Sequence, residues 1–332
     1  MAKRKKSQKN KTKTKILTYI AWILAFIALV LSTLLAGYYI GFSDGKSKTE
    51  KLYSKENTKQ KALLKKLKNS LSNKQLSVNT RLKSVLKETQ DYISASHEID
   101  GNSLVNTPKM AKRKRVITPH KARLVIIIDD VGTKTQVEAI KSLRLPLTMS
   151  FLPPSKARPN TAKLAKLEKL YMVHLPMEAQ NWSAEEPNTL RIHDQQTKIS
   201  ARIKEIKQLF PKVKYINNHT GSKFTSSEVA MNRLIFALSA NNIHFIDSRT
   251  TAQTKAPKVL KNFGLKYVSR DVFLDHHMDK PYVLKQIKKA IKVAKSHGSA
   301  IAIGHPHKNT LQALYESKEL LKDVELVYIN RL

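Results

Sequence analysis

The sequence has no cysteine in its 332 residues, and it is poor in acidic side chains. Without cysteine, neither a disulfide framework nor a thiolate metal site can form. Only 25 Asp and Glu residues stand against 61 Lys and Arg residues, which gives a formal net charge of +36. Such a charge suggests nucleic acid or an anionic membrane as a partner, and its distribution along the chain is more informative than its size.

Two common phosphate-binding motifs are also absent. The first strand-like run leads into a helix through Val131-Gly132-Thr133, so it lacks the GxGxxG fingerprint of dinucleotide-binding folds. No GxxxxGK[ST] loop occurs anywhere in the chain. The sequence therefore gives no support to an enzyme that binds a dinucleotide or uses a P-loop.

A long uncharged run follows a basic N-terminus. Residues 1–15 form a tail with eight Lys or Arg and no acid, and residues 16–42 then carry no charge at all. A helix of 27 residues exceeds the roughly 30 Å hydrocarbon core of a bilayer, and it is longer than the apolar region of a cleavable signal peptide. The sequence therefore predicts a single transmembrane anchor. Because basic flanks stay in the cytoplasm, everything after residue 42 is expected on the extracytoplasmic side.

Residues 43–121 are polar and rich in lysine, and they read as a helical stalk followed by a linker. Leu64, Leu71, Val78 and Val85 recur every seven residues. Lys74 and Arg81 interrupt the second seam of the heptad, so a coiled coil and self-association through the stalk are left open. The KRKR run of the linker is typical of a solvated stretch of charge.

From residue 122 to residue 332 the pattern changes to short apolar runs that alternate with helical segments. Eight runs are present, at 124–130, 147–153, 171–177, 215–221, 244–249, 265–274, 299–306 and 324–332. This alternation is typical of βα units and a parallel sheet. We predict an α/β fold, a distorted (β/α) barrel of 7–8 strands, with a doubly wound open sheet as the alternative.

Polar and ionisable residues are concentrated where these runs end. The residues concerned are Asp129, Asp130, His174, Glu178, Asn218, His219, Asp247, Arg249, Asp271, Asp275 and His305. The carboxyl ends of parallel strands form the active face in barrels and in open sheets alike. We therefore expect a catalytic or ligand-binding site at this end of the sheet.

Asp129 and Asp130 are adjacent, so they cannot share one role unless a turn brings both side chains to the same side. One carboxylate can hold a metal while the other acts as a general base. An Asx turn or a helix N-cap is the alternative for such a pair. With His174 and His219, Asp130 offers nitrogen and oxygen ligands that suit Zn²⁺ or another divalent ion.

Six motifs then occur in a fixed order: IIIDDVG, HLPME, NNHTGSKFT, DSRTT, RDVFLD and IAIGHP. Together they resemble the divergent polysaccharide deacetylase family, over residues 122–332. The resemblance implies a distorted barrel and a hydrolase that removes N-acetyl groups from a glycan. It also implies that Asp129 is the general base, that Asp130 and His174 bind a metal, and that His305 protonates the leaving amine.

The same resemblance marks departures from the wider deacetylase superfamily. The second histidine of its metal motif is replaced by Glu178, which becomes a further candidate ligand. His219 and Asn218 stand where the superfamily has an Arg-Pro motif, and His219 is expected to complete the metal site. Arg249 is the candidate to orient the base in place of the missing arginine.

Four residues are expected to contact substrate. Asn218, Asp247 and Asp271 lie at the ends of the runs, and Trp182 in the loop after HLPME could stack on a sugar ring or cover the mouth of the barrel.

The leading interpretation is an anchored envelope enzyme that deacetylates peptidoglycan or a related polysaccharide. A glycan hydrolase that uses paired carboxylates on the same face is a second enzymatic interpretation. A non-catalytic carbohydrate-binding or scaffold protein is the alternative from another class. Nucleic-acid binding has little support. Residues 122–332 hold 34 basic and 18 acidic residues, but they contain no nucleic-acid-binding motif.

Overall fold

The computed structural model describes residues 120–182 and 184–332, together with positions 22, 29, 31–34, 37, 111 and 114. The chain divides into two units, Met1–Asn73 and Lys74–Leu332, and the fold below belongs to the second. Apart from those positions, the predicted basic tail, anchor and stalk lie outside the described residues and stay predictions. Among the residues that are described, no helix combines the length and apolar character needed to cross a membrane.

Eight strands make up the sheet, and all of their pairings are parallel. They are β1 (Arg123–Val131), β2 (Thr148–Phe151), β3 (Met172–Met177), β4 (Tyr215–Thr220), β5 (His244–Ile246), β6 (Val272–Phe273), β7 (Ser299–Gly304) and β8 (Glu325–Val327). The predicted α/β fold with a parallel sheet is therefore confirmed.

Nine α-helices lie between or after the strands in this part of the chain. They are α1 (Lys134–Ser142), α2 (Thr161–Lys166), α3 (Gln196–Leu209), α4 (Ser222–Ser226), α5 (Glu228–Ser239), α6 (Ala256–Asn262), α7 (Lys280–His297), α8 (Lys308–Glu316) and α9 (Lys318–Leu321). A short 3₁₀ helix (Ile329–Arg331) follows β8.

The strand order is that of a partly open barrel rather than of a doubly wound sheet. Along the sheet the order is β5-β4-β3-β2-β1-β7-β6, so β1 to β5 are neighbours in chain order, and β7 pairs with β1 on one edge and with β6 on the other. β5 and β6 are bridged between Asp247 and Ser269, which closes the circle weakly. β8 pairs with the first residues of β1 on the edge opposite to β7, and β2 pairs with the same edge further along β1.

The prediction of a strand over 265–274 is wrong for most of its length, because only Val272–Phe273 is strand there. The carboxylate of Asp271 accepts a hydrogen bond from the backbone of Ile301 (2.8 Å), and the Asp271 N–H donates to the Ile301 carbonyl (2.8 Å). The Asp271 side chain thus replaces a backbone carbonyl as the acceptor for one N–H of β7, and β6 is limited to two residues.

Alternation along the strands separates an apolar floor from a polar mouth inside the barrel. Successive side chains of a strand point to opposite faces. Val125 and Ile127 of β1 and Ile301 and Ile303 of β7 belong to one buried cluster with Met172 and Ile246. The next residues on the same face, two positions further along each strand, are Asp129 on β1 and His305 just after β7. The other phase packs against the helices in the larger core.

Candidate functional site

The two aspartates at the end of β1 reach the same site because the backbone turns between them. Asp130 has a φ of 53°, in the left-handed region, and the register of β1 against β2 shifts between Ile128 and Val131. Non-glycine residues in this region store strain, which is concentrated at functional sites. The N-cap of α1 is Thr133, which forms a capping box with Gln136, so neither aspartate is needed as a helix cap.

His174 of β3 lies between the two carboxylates. Its Nδ1 is 3.6 Å from Oδ2 of Asp129, and its Nε2 is 3.6 Å from Oδ1 of Asp130. The imidazole is fully buried, as are both aspartates to within a few per cent. Each ring nitrogen therefore faces a different carboxylate, so Asp129 and Asp130 lie on opposite sides of the imidazole.

Asp130, His174 and His219 form a group that fits a divalent metal ion. One ligand atom from each lies within 4.8 Å of the other two, and all three residues are buried. Nδ1 of His219 is 3.1 Å from Oδ1 of Asp130. Separations of 3.1 and 3.6 Å are close to the roughly 3.4 Å edge of a tetrahedron with bonds of about 2.1 Å. Two imidazoles and a carboxylate are a donor set that Zn²⁺ accepts.

Asn217 is a member of the site that the sequence-based reasoning did not assign. Its amide nitrogen donates to Oδ2 of Asp129 (2.8 Å) and to the hydroxyl of Ser248 (3.0 Å). The hydroxyl of Ser150 donates to its amide oxygen (2.6 Å). The sequence does contain a signal for this role of Asn217. Residues two apart on a strand point to the same face, so Asn217 shares a face with His219.

His305 follows β7 and is fixed by Asp275. Its Nδ1 pairs with Oδ1 of Asp275 (3.0 Å), and its backbone N–H donates to Oδ2 (2.6 Å), which also accepts from the Thr310 hydroxyl (2.7 Å). Burial alone would raise the pKa of Asp275, but the charge and hydrogen bonds of His305 outweigh it and hold that pKa below 3.8. Nε2 of His305 is turned towards the mouth, 4.0 Å from Oδ2 of Asp130.

The contacts of Glu178 do not place it among the metal ligands. Its Oε2 accepts from the backbone of Ile192 (2.9 Å), and its Oε1 pairs with Lys223 (2.8 Å) and lies 3.9 Å from Arg191. Burial alone would raise the pKa of Glu178, but the hydrogen bonds from Lys223 and Ile192 lower it below 4.5. The carboxylate is turned to the loop after β3 and to α4, because two cations and an N–H lie there.

The hydrogen bonds seen for Arg249 and Asp247 are with the loop after β5 and with Tyr267. The Arg249 guanidinium donates to the Tyr267 hydroxyl (3.2 Å), while Asn217 is the residue seen to bond Asp129. Asp247 accepts from the Arg249 backbone (2.8 Å), the Thr254 hydroxyl (2.9 Å) and the Tyr267 hydroxyl (2.9 Å). Asn217 is thus a residue that holds Asp129, and the orienting role of Arg249 stays a prediction.

The other expected substrate contacts are also engaged with the protein. Asn218 accepts from the Ser248 backbone (2.9 Å) and donates to the carbonyl of Thr220 (2.7 Å), and Asp271 is bonded to β7 as described above. Trp182 donates to the carbonyl of Ala184 (2.8 Å) in the loop after β3. None of these contacts brings the residue into the group around Asp130.

Comparison with known proteins identifies the family of this chain. Residues 126–332 match the family described as "Divergent polysaccharide deacetylase". The chain belongs to this family. Two relatives are the uncharacterized protein YibQ of Escherichia coli, 34% identical over 208 residues (62% of this chain, 65% of that protein), and an uncharacterized protein of Haemophilus influenzae, 31% identical over 215 residues (64% and 77%). The match thus spans slightly less than two thirds of the Escherichia coli protein.

A solved structure shares the fold. The crystal structure of an uncharacterized protein from Agrobacterium tumefaciens superposes with a TM-score of 0.56 at 17% identity, over 68% of this chain and 98% of that one. The family resemblance inferred from the six sequence motifs is confirmed by the family match.

Proposed function

We propose that residues 122–332 of this divergent polysaccharide deacetylase hydrolyse N-acetyl groups on a polysaccharide such as peptidoglycan. One observation carries the proposal. Asp129, Asp130, His174, His219 and His305 come from four strand ends and meet above an apolar floor, with separations of 3.1 to 4.0 Å between neighbouring groups. A base, an acid and a set of metal-binding donors are thus assembled at one mouth.

The donor set supports a role for a divalent ion in this reaction. Asp130, His174 and His219 would hold it, and it would supply Lewis acidity that polarises a carbonyl and lowers the pKa of water towards about 7. His174 would hold the ion through Nε2, which faces Asp130, and Asp129 would orient the ring from Nδ1.

Asp129 and His305 divide the proton transfers. Asp129, held by Asn217, takes a proton from the attacking water as the oxygen bonds to the acetyl carbon. His305, held by Asp275 at Nδ1, gives a proton from Nε2 to the amine nitrogen as the C–N bond breaks. The products are acetate and a free amino sugar. The apolar floor below the mouth excludes water from the far side of the site.

The test compares acetate release by wild type, Asp129→Asn, His305→Ala and His174→Ala on N-acetylated glycans. We expect the first two variants to lose about 10² to 10⁴ in rate while they keep their metal. His174→Ala is expected to lose the metal, measured by elemental analysis. Near-wild-type acetate release by Asp129→Asn and His305→Ala at matched metal content would contradict the mechanism.

Two alternatives give different results in the same assay. Glycan binding without acetate release by wild type would favour a carbohydrate-binding scaffold. New reducing ends instead of acetate would indicate a glycan hydrolase.

We also propose that residues 16–42 anchor the chain in the membrane, with the domain on the extracytoplasmic side. The proposal is supported by the uncharged run and by the eight basic residues that precede it. Protease added to intact spheroplasts is expected to digest residues 122–332. Protection of these residues, with digestion of the N-terminus, would reverse the orientation.

A further inference from the structure

The outward face of α7 is a row of lysines. This 18-residue helix contains no acidic residue, and its buried face is formed by Val283, Gln286, Ile287, Ala290, Ile291 and Ala294. Between residues 285 and 295 the exposed positions are Lys285, Lys288, Lys289, Lys292 and Lys295. Spacings of three and four residues bring these side chains next to each other on the helix surface.

Four of these lysines form what we call the lysine stripe: Lys285, Lys288, Lys289 and Lys292. Lys295 pairs with Asp323 (2.7 Å), and Lys280 at the start of the helix pairs with Glu316 (3.0 Å). For the lysine stripe, no ion pair is present within the described part of the chain. Like charges three and four residues apart repel each other, so the stripe opposes the stability of the isolated helix. An anionic partner would relieve this repulsion.

The lysine stripe leads away from the mouth of the barrel. α7 begins at its N-cap Asp279, four residues after Asp275, the residue that fixes His305. From Lys285 to Lys292 the stripe extends about 10 Å along the helix axis. A polymer strand with a sugar at the mouth can therefore reach the stripe with its next units.

The chemistry of the stripe favours one class of polyanion. It contains neither arginine nor an aromatic residue, whereas single-stranded nucleic acids are bound by aromatic stacking and by arginine. None of the large apolar side chains that are exposed in the described residues between 120 and 332 lies on α7. A helix that docks on a bilayer inserts such side chains. Lysine ammonium groups in a row fit separate carboxylates or phosphates along a glycan.

We propose that the lysine stripe binds an anionic polysaccharide strand, as a second contact for the polymer whose acetylated sugars enter the mouth. The assignment rests on the proposed function for the identity of the polymer. It predicts preference for acidic over neutral glycans, and binding that weakens as salt is added, because the contacts are exposed charges.

The test is residue-resolved lysine acetylation of the full chain in detergent, with and without polygalacturonate as the probe. Mass spectrometry then reports each lysine separately, so binding to the lysine-rich residues 43–121 does not obscure the result. We expect the stripe to be protected about tenfold at 50 mM NaCl and to lose this protection at 200 mM. Four other exposed lysines, Lys204, Lys214, Lys261 and Lys266, serve as internal controls and should stay reactive.

Matched variants complete the test. The stripe variant carries Lys285→Gln, Lys288→Gln, Lys289→Gln and Lys292→Gln, and the control variant carries Lys→Gln at the four control positions, so both lose four charges. Only the stripe variant is expected to bind polygalacturonate more weakly, and neutral dextran should protect no lysine. Equal losses in the two variants, or stripe-dependent binding of single-stranded DNA or anionic vesicles in preference to polygalacturonate, would overturn the proposal.

The outcome is separable from that of the proposed function. Acetate release from a short neutral acetylated oligosaccharide should be the same in the stripe variant and in wild type. If wild type releases no acetate but the stripe is protected by polygalacturonate, the proposed reaction fails while the binding surface stands.

Discussion

Asn217 gives the base of this site a neutral partner. Its amide has no charge, and its orientation is fixed from both ends, because Ser150 donates to its oxygen and Ser248 accepts from its nitrogen. The amide can therefore only donate towards Asp129. Asn218, one residue on, points its side chain into the loop after β5 instead. The two neighbouring asparagines thus offer a matched pair of substitutions.

We expect Asn217→Ala and Asn218→Ala to fail in different ways. Loss of a hydrogen bond to a charged group costs about 1.5 to 3 kcal/mol, so Asn217→Ala should lower kcat by about 10- to 100-fold with KM nearly unchanged. Asn218→Ala leaves the Ser248 N–H without its acceptor and should lower the free energy of unfolding by about 1 to 3 kcal/mol while kcat per folded molecule is retained. Acetate release and urea unfolding measure the two effects. Equal kcat losses would show that Asn217 is structural.

Part of this site was predictable from residue spacing. The phase of β1 and β7 predicts that Asp129 and His305 face the same interior as Val125 and Ile301. The left-handed backbone of Asp130 was not predictable, since nothing in the sequence marks a positive φ at an aspartate. The direction of Glu178 was equally hidden, because it depends on Lys223 and Ile192, which are distant in sequence.

At the scale of elements, Glu178 fastens the loop after β3 to α4. Its side chain bonds the backbone at Ile192 and the ammonium of Lys223, and its carbonyl accepts from the backbone of Lys223 and Phe224. The folded-state pKa of Glu178 is lowered below 4.5, so its contribution to stability is present above pH 4.5 and is lost as the pH falls through the folded pKa.

Glu178→Gln should therefore destabilise the protein in a pH-dependent manner. At pH 7 we expect a loss of about 1.5 to 3 kcal/mol in the free energy of unfolding, because hydrogen bonds to a charged group are lost. The difference from wild type should shrink as the pH falls through the lowered pKa, since wild-type Glu178 is then being protonated. Glu319→Gln is the control, because Glu319 pairs with Lys322 (2.8 Å) at an exposed position, where such a pair contributes about 1 kcal/mol or less. Urea unfolding at pH 7 and at a series of lower pH values measures the loss. A loss that does not change with pH would contradict the role of the ionised Glu178 carboxylate.

The longer elements were predictable, and the shortest ones were not. The first, third, fourth and seventh runs agree closely with their strands. Over 265–274 apolar residues indicated a full strand, but contacts to β7 and to the loop after β5 decide the conformation there. His276, which no strand or helix contains, is buried against Phe273.

At the scale of the whole molecule, residues 120–332 contain a complete core. The outer face of the sheet packs against the helices in one large cluster, and the interior is filled by a second. The start of this segment is tied to its end, because Lys121 donates to the carbonyl of Lys322 (2.9 Å) and Arg123 to that of Arg331 (2.5 Å).

We therefore expect a fragment of residues 120–332 to fold without the preceding chain. It should show a mixed α/β circular dichroism spectrum and unfold in a single cooperative transition, with the same metal content as the full chain. A fragment that binds the hydrophobic dye ANS and melts without a transition would mean that the domain boundary lies further upstream.

The weakly closed circle of strands has a consequence for how the domain fluctuates. Between β5 and β6 the backbone is joined around Asp247, with help from Arg270, whose guanidinium donates to the carbonyls of Ser248 (2.7 Å) and Arg249 (2.8 Å). Burial, and then the nearby Arg249, lower the pKa of Arg270 to about 10, so it stays charged at neutral pH. Asp130, His174 and His219 belong to β1, β3 and β4, on the continuous arc of the sheet. Breathing motions will therefore concentrate at the β5–β6 seam, and the barrel can widen there while the three donors keep their spacing.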